Sequence, residues 1–162
     1  EVGGQLSEMG FKRLILINGH GGQISLLNTA ARELRSFAPG MAVFPCFLWS
    51  GVNGLSELLT KTEIENGLHA SLAETSLMLA LKPELVGDER PHEGTNLKIP
   101  EGWSLEGNAP TAWITEDLSK SGVIGDSRGA NALLGKDLKE LLINHWYNLI
   151  MNLMQTDWPN NT

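Results

Sequence analysis

Two short stretches of this chain carry residue types that could do chemistry. In Asn18-Gly19-His20-Gly21-Gly22 one imidazole stands among three glycines. An imidazole can bind a divalent cation or move a proton near neutral pH. Glycine permits the tight turns and close backbone approach that such work needs. A lone loop histidine is more commonly a surface residue or a satisfied hydrogen-bonder, and spacing alone leaves that reading open. In His69-Ala70-Ser71-Leu72-Ala73-Glu74-Thr75-Ser76 an imidazole precedes a carboxylate. Here too a plain alternative exists. Ser71 to Glu74 has the spacing of a capping box, in which the glutamate reaches back to a backbone N–H, and His69 would then merely begin a helix. Nucleotide binding is disfavoured: a G-x-G-x-x-G pattern begun at Gly19 meets Ile24 where the third glycine belongs, and no Lys-Ser or Lys-Thr pair follows.

The elements that must position these residues read as alternating strand and helix. Leu14-Ile15-Leu16-Ile17 is an unbroken aliphatic run, as in a parallel strand buried on both faces, and predicts a strand over 12–17. His20 then falls past the carboxyl end of that strand, where open α/β sheets keep their ligands. Residues 1–10 predict a helix stopped by Gly10. Ile24, Leu27, Ala31 and Leu34 recur at helical spacing and predict a helix over 23–37, broken at Pro39-Gly40. Residues 41–49 predict a second parallel strand, with Pro45 marking an edge position or a bend. A short helical turn is expected over 60–66, and a helix after His69 that ends before Pro83.

The second half is less periodic. Residues 84–115 read as a loop or lid over a cleft, as an oligomer contact, or equally as a surface excursion. His92 and Glu93 within them lack ligand spacing and are expected at the surface. Residues 122–127 read as a tight turn from which Asp126 or Ser127 could cap the next helix. That helix is expected over 136–155. Leu138, Leu141, Leu142, Trp146, Leu149, Ile150 and Leu153 form its apolar stripe, and His145 beside them needs no role. Residues 157–162 look frayed.

Gly10-Phe11-Lys12-Arg13 followed by the Asn18–Gly22 loop, the His69–Ser76 segment, and Gly122-Val123-Ile124-Gly125-Asp126 together resemble the creatininase (creatinine amidohydrolase) family. The second segment matches the family's H-A-x-x-x-E-T-S pattern, and the three matches span most of the chain. The resemblance implies an α/β, Rossmann-like layered fold with a mainly parallel sheet flanked by helices. It also implies an amidohydrolase with two divalent metal ions, zinc or manganese. Such a metal lowers the pKa of its bound water and polarises the scissile carbonyl, and it needs imidazole and carboxylate ligands with one position left open. By the resemblance, His20 and Glu74 are metal ligands. His69 is the general acid/base beside the metal pair, able to shuttle a proton to the leaving nitrogen. The implied substrate is a small-molecule amide, cyclic or linear, creatinine-like or formamide-like.

This chain departs from creatininase itself in two places. That enzyme carries a carboxylate ligand two residues after the loop histidine, where this chain has Gly22. Other branches of the family carry H-G-G, as here, and recruitment of the later glutamate, Glu74, would compensate. Creatininase also has a Trp-Asp pair shortly before its second histidine, used to hold creatinine, where this chain has Glu65-Asn66. That argues against creatinine and leaves amide hydrolysis standing, since related branches act on formamide-type or peptide-like C–N bonds. The family's remaining ligands, a Glu, a His and a bridging Asp, belong to an N-terminal segment not found in residues 1–162. The expectation is therefore a single domain over 1–162 forming the C-terminal part of a longer creatininase-like domain, inactive by itself. The alternative is a non-catalytic α/β relative acting as a binding or assembly subunit.

Composition narrows the partners. The chain has 162 residues, 41% hydrophobic and 19% charged, which suits one globular domain with a sizeable core. A net charge of −7 argues against nucleic acid and against anionic membranes. Cys46 is the single cysteine, so no disulfide forms within the chain, which fits a cytoplasmic protein. There is no transmembrane run. Assembly into a homo-oligomer is expected, with a hexamer as one candidate order.

Overall fold

A computed structural model describes residues 1–94 and 98–159. Residues 95–97 of the irregular segment and 160–162 of the tail expected to fray lie outside the described residues. The chain divides into two units, one of residues 1–52 with 142–162 and one of residues 53–141.

In the first unit, α1 (Val2–Glu8) ends where the sequence predicts. The Gly10 N–H donates to the Ser7 carbonyl at 2.9 Å and the Phe11 N–H to the Leu6 carbonyl at 3.0 Å. This paired closure needs a left-handed residue, and Gly10 supplies it at φ +91°. β1 (Arg13–Asn18) and β2 (Ala42–Phe47) pair in parallel, with Arg13 opposite Ala42 and Asn18 opposite Phe47. α2 (Ile24–Phe37) connects them and packs against β2, so the βαβ reading holds. Ala42 and Leu48 donate their N–H groups to the Lys12 and Asn18 carbonyls of the β1 segment. Alternation along the strand then turns position 45 away from β1, so Pro45 removes no bond of this pair. One expectation needs correcting. The Leu14–Ile17 run is not enclosed on both faces: Leu14 to Leu16 are half-buried and Ile17 is 49% exposed. Full enclosure of a parallel strand takes neighbouring strands and helices on both faces. Among the described residues β1 has one sheet neighbour.

The second unit contains α3 (Leu55–Leu58), α4 (Lys61–Asn66), α5 (Leu72–Leu81), β3 (His92–Glu93), α6 (Thr115–Leu118) and β4 (Gly125–Asp126). α5 ends before Pro83, as expected, and a 3₁₀ turn over Pro83–Leu85 follows it. β3 and β4 pair antiparallel, with His92 opposite Asp126 and Glu93 opposite Gly125. The irregular segment thus carries a strand that its sequence does not announce, because two residues are too few to show a period.

α7 (Ala132–Met154) begins at Ala132 rather than at residue 136, and its cap is neither Asp126 nor Ser127. Asn131 Oδ1 accepts the Leu134 N–H at 2.9 Å. Asp126 Oδ1 instead accepts from the Arg128 backbone at 3.1 Å, and the Ser127 hydroxyl donates to the Pro91 carbonyl at 2.8 Å. Gly135 lets α7 lie directly against α5, since a Cβ there would overlap the Ser76 carbonyl. Along the expected stripe Leu138 is fully buried, Leu142 is 4% exposed, and Leu149 is 47% exposed. No helix among the described residues is long and apolar enough to cross a membrane.

Candidate functional site

His20 lies in the first unit, two residues past the end of β1. Asn18, 5% exposed, brackets it: Asn18 Nδ2 donates to the His20 carbonyl at 2.8 Å, and the His20 N–H donates to Asn18 Oδ1 at 3.0 Å. This side-chain turn ends the strand and starts the 3₁₀ turn Gly21–Gln23 that leads into α2. The His20 ring is exposed, and its Nε2 lies 3.0 Å from where a Cβ on Gly22 would stand. The glycine at position 22 therefore gives this ring its room.

His69 and Glu74 lie in the second unit, and both are half-buried. His69 is fixed through its backbone. It forms an antiparallel bridge with Ile124, donating to the Ile124 carbonyl at 3.2 Å and accepting from the Ile124 N–H at 2.8 Å. The next residue, Ala70, has φ +48°, the one non-glycine left-handed residue among those described. Such a conformation costs about 1–3 kcal/mol and persists only where its surroundings impose it. Here they do: Glu74 Oε2 accepts the Ala70 N–H at 2.6 Å, and the Thr75 hydroxyl donates to the Ala70 carbonyl at 2.8 Å. The E-T pair of the motif is thus a clamp on the residue after the histidine. Glu74 reaches back as a capping box would, but to the residue before the N-cap, Ser71.

Ser71 makes no capping bond of its own. Its hydroxyl donates to Glu63 Oε2 at 2.6 Å and accepts the Asp126 N–H at 3.0 Å. Glu63 Oε1 takes the Ala73 N–H at 2.9 Å. Ser76, fully buried, accepts the Asn131 N–H at 3.1 Å. Every polar side chain from Ser71 to Ser76 is thus bound to backbone or to Glu63.

Sequence reasoning missed Glu63 and misplaced Glu93. Thr60 and Glu63 have the capping-box spacing, and the Glu63 N–H does donate to Thr60 Oγ1 at 3.2 Å. The Glu63 carboxylate leaves the helix start and serves residues 71 and 73 instead, which no local pattern signals. Glu93, expected as a plain surface residue, is half-buried. Its Oε2 accepts from the Ser119 hydroxyl at 2.6 Å, the Lys120 N–H at 2.7 Å and the Ser121 N–H at 3.0 Å. These bonds, the Ser119 hydroxyl first, hold its pKa down at about 2. His92 remains exposed, as expected, with Nδ1 2.8 Å from an Arg128 nitrogen. Arg128 also pairs with Asp126 through two bonds of 2.8 and 2.7 Å, and these keep the Asp126 carboxyl well below the usual carboxylate range.

A metal centre is a stricter test. Among the described residues no group of three or more His, Cys, Asp or Glu side chains could hold a metal ion. His20 and Glu74 are donors of the right chemical kind, but these residues by themselves do not assemble a complete ligand set.

Comparison with known proteins places the chain. A structure from Bacteroides fragilis NCTC 9343, assigned as a creatinine amidohydrolase, superimposes with a TM-score of 0.77 at 23% identity, covering 97% of this chain and 60% of that one. A creatininase described as of Mn type gives 0.68 at 23% identity, with 96% and 62% covered. A mutant creatininase of Zn–Zn type gives 0.69 at 24%, with 96% and 61% covered. At these identities the likeness speaks for the fold, an α/β layered one. Among curated proteins, the mycofactocin precursor peptide peptidase of Mycobacterium ulcerans (strain Agy99) is 30% identical over 125 residues, 76% of this chain. The chain spans 42% of that relative's length. The family model for creatininase, creatinine amidohydrolase, matches residues 1–150, and the chain belongs to that family.

Proposed function

We propose that the protein to which these residues belong is a metal-dependent amidohydrolase that cleaves a C–N bond of a small cyclic or linear amide. In this reading His69 carries a proton to the leaving nitrogen. His20 and Glu74 each serve as a ligand to a divalent metal, zinc or manganese. Metal, when bound, supplies an activated water. The remaining ligands come from outside residues 1–162, which act as the C-terminal part of a longer domain. The observation that carries the reading is the holding of His69: both backbone groups are bonded to Ile124, beside an alanine kept in a costly conformation. Strain of that kind gathers at functional sites. Family membership and the Zn and Mn forms of the structural neighbours support the metal. A cytoplasmic homo-oligomer acting on a small molecule completes the reading.

A second reading takes a peptide as substrate. It is favoured by the curated relatives, which are named as peptidases of a precursor peptide. Metal analysis and hydrolysis assays on the full-length protein separate these readings. Creatinine, a formamide and a short peptide are the probes, with His20→Ala and Glu74→Gln as variants. Loss of metal and turnover in both variants is expected, with little loss of stability for His20→Ala. Metal retained in His20→Ala ends its ligand role. Unchanged metal and a lower melting temperature in Glu74→Gln would leave Glu74 as a clamp alone. A full-length protein without metal or turnover on any probe favours the non-catalytic binding or assembly subunit.

A further inference from the structure

We propose that Glu63 is a positioning residue for His69, acting through the buried hydroxyl of Ser71. The proposal rests on the reading of His69 as the proton carrier, and it assigns a role to a carboxylate that neither motif contains.

Glu63 sits on α4 and is 8% exposed. A buried carboxylate is costly unless its oxygens are well bonded. Both are: Oε2 accepts from the Ser71 hydroxyl at 2.6 Å and Oε1 from the Ala73 N–H at 2.9 Å. A serine at the start of a helix ordinarily satisfies such an N–H by itself. Ser71 does not. Its one proton goes to Glu63, and a lone pair accepts the Asp126 N–H at 3.0 Å. A single hydroxyl thereby joins α4, the first turn of α5, and β4. β4 directly follows Ile124, the residue bonded to the backbone of His69.

The other flank of the histidine starts from the last backbone bond of α4. The Glu63 carbonyl accepts the Gly67 N–H at 2.8 Å. Residues 67 and 71, two before and two after His69, thus meet Glu63 through its backbone and its carboxylate respectively. The space for this is kept by glycines. A Cβ on Gly67 would stand 2.7 Å from the Glu63 carboxyl carbon, and one on Gly125 would overlap the Ser71 hydroxyl. The clamp on Ala70 from Glu74 and Thr75 fixes the bend itself. Glu63 fixes where the bend sits.

The test uses the full-length protein with ¹⁵N-labelled histidine. Glu63→Gln keeps the shape, but with one acceptor oxygen in place of two it cannot take both the Ser71 hydroxyl proton and the Ala73 N–H. Ser71→Ala removes the hydroxyl, and Glu63→Asp keeps the charge on a shorter arm. NMR of the imidazoles at one fixed pH reads His69 against His20 and His145 as internal references. The expected result is a displaced His69 signal in Glu63→Gln and in Ser71→Ala, with the references unmoved and a smaller displacement in Glu63→Asp. On whichever of creatinine, a formamide or a short peptide is cleaved, kcat should fall up to about 100-fold at unchanged KM, the scale of a misplaced group. An unmoved His69 signal in the folded variants, or equal movement of His69, His20 and His145, overturns the proposal and leaves Glu63 with a merely structural role. His69→Asn runs in parallel. Full turnover there removes the proton-carrier reading, while the imidazole signals still decide whether Glu63 holds the ring.

Discussion

His20 stands exposed on a loop of glycines, its backbone bracketed by Asn18 two residues away. His69 is half-buried, and its segment is tied to Glu63, Glu74, Thr75, Ile124 and Asp126. In the proposed reading His20 is a cation ligand, and one on a glycine loop can adjust to the ion that binds it. A group that must deliver a proton to one atom gains from a fixed approach. The contrast separates a segment set by its own few residues from one set by residues far along the chain.

The largest effect should come from the fixed histidine. His69→Asn is expected to lower turnover by about 10²–10⁴-fold with metal content unchanged, measured by steady-state kinetics and metal analysis on the full-length protein. Wild-type turnover would erase the contrast at its more ordered end.

Next comes the packing around it. Gly125 has φ +134°, and a Cβ there would overlap the Ser71 hydroxyl. Gly125→Ala should cost about 3 kcal/mol, combining backbone strain with overpacking. Denaturant unfolding reads this directly, and a loss under about 1 kcal/mol would mean that the segment yields more than its contacts suggest.

The Glu93 carboxylate gives a pH signature of the same unit. Its folded pKa lies at about 2, below the ordinary 4.5. A depressed carboxylate contributes stability that is fully present above the unfolded value and is lost as pH falls from about 4.5 towards 2. Melting temperatures across that window should fall more gently in Glu93→Gln than in wild type. Parallel curves would show that Ser119, Lys120 and Ser121 do not depend on this charge.

The smallest effect belongs to the other loop. Nothing stands within 4 Å of a Cβ on Gly21, and its φ is not left-handed. Gly21→Ala should be neutral or stabilising by up to about 1 kcal/mol. A destabilisation matching that of Gly125→Ala would show the His20 loop to be as constrained as the His69 segment.

Much of the fold was legible because its signals are local. The aliphatic run at 14–17, the helical spacing from Ile24 to Leu34, and Gly10 as a left-handed stop each act within a few residues, and the structure has β1, α2 and the end of α1 there. The start of α7 at Ala132 is not legible in the local sequence. Asn131 is chosen as cap by its placement against Ser76, a residue of α5. β3 is not legible either, because its two residues are a strand only by virtue of β4.

The sequence by itself determined the alternation of strand and helix, the glycine loop carrying His20, and the motif spacing that marks the family. These depend on covalent neighbours, backbone freedom and hydrophobic period, all encoded over short distances. Only the tertiary structure decided that Glu63 leaves its own helix to hold Ser71 and Ala73. Only there does Glu74 clamp a left-handed Ala70, and only there does Glu93 gather the turn at 119–121. A carboxylate bonds whichever donors folding brings within about 3 Å. Buried carboxylates need such donors more than exposed ones do, so their partners follow from packing rather than from spacing along the chain.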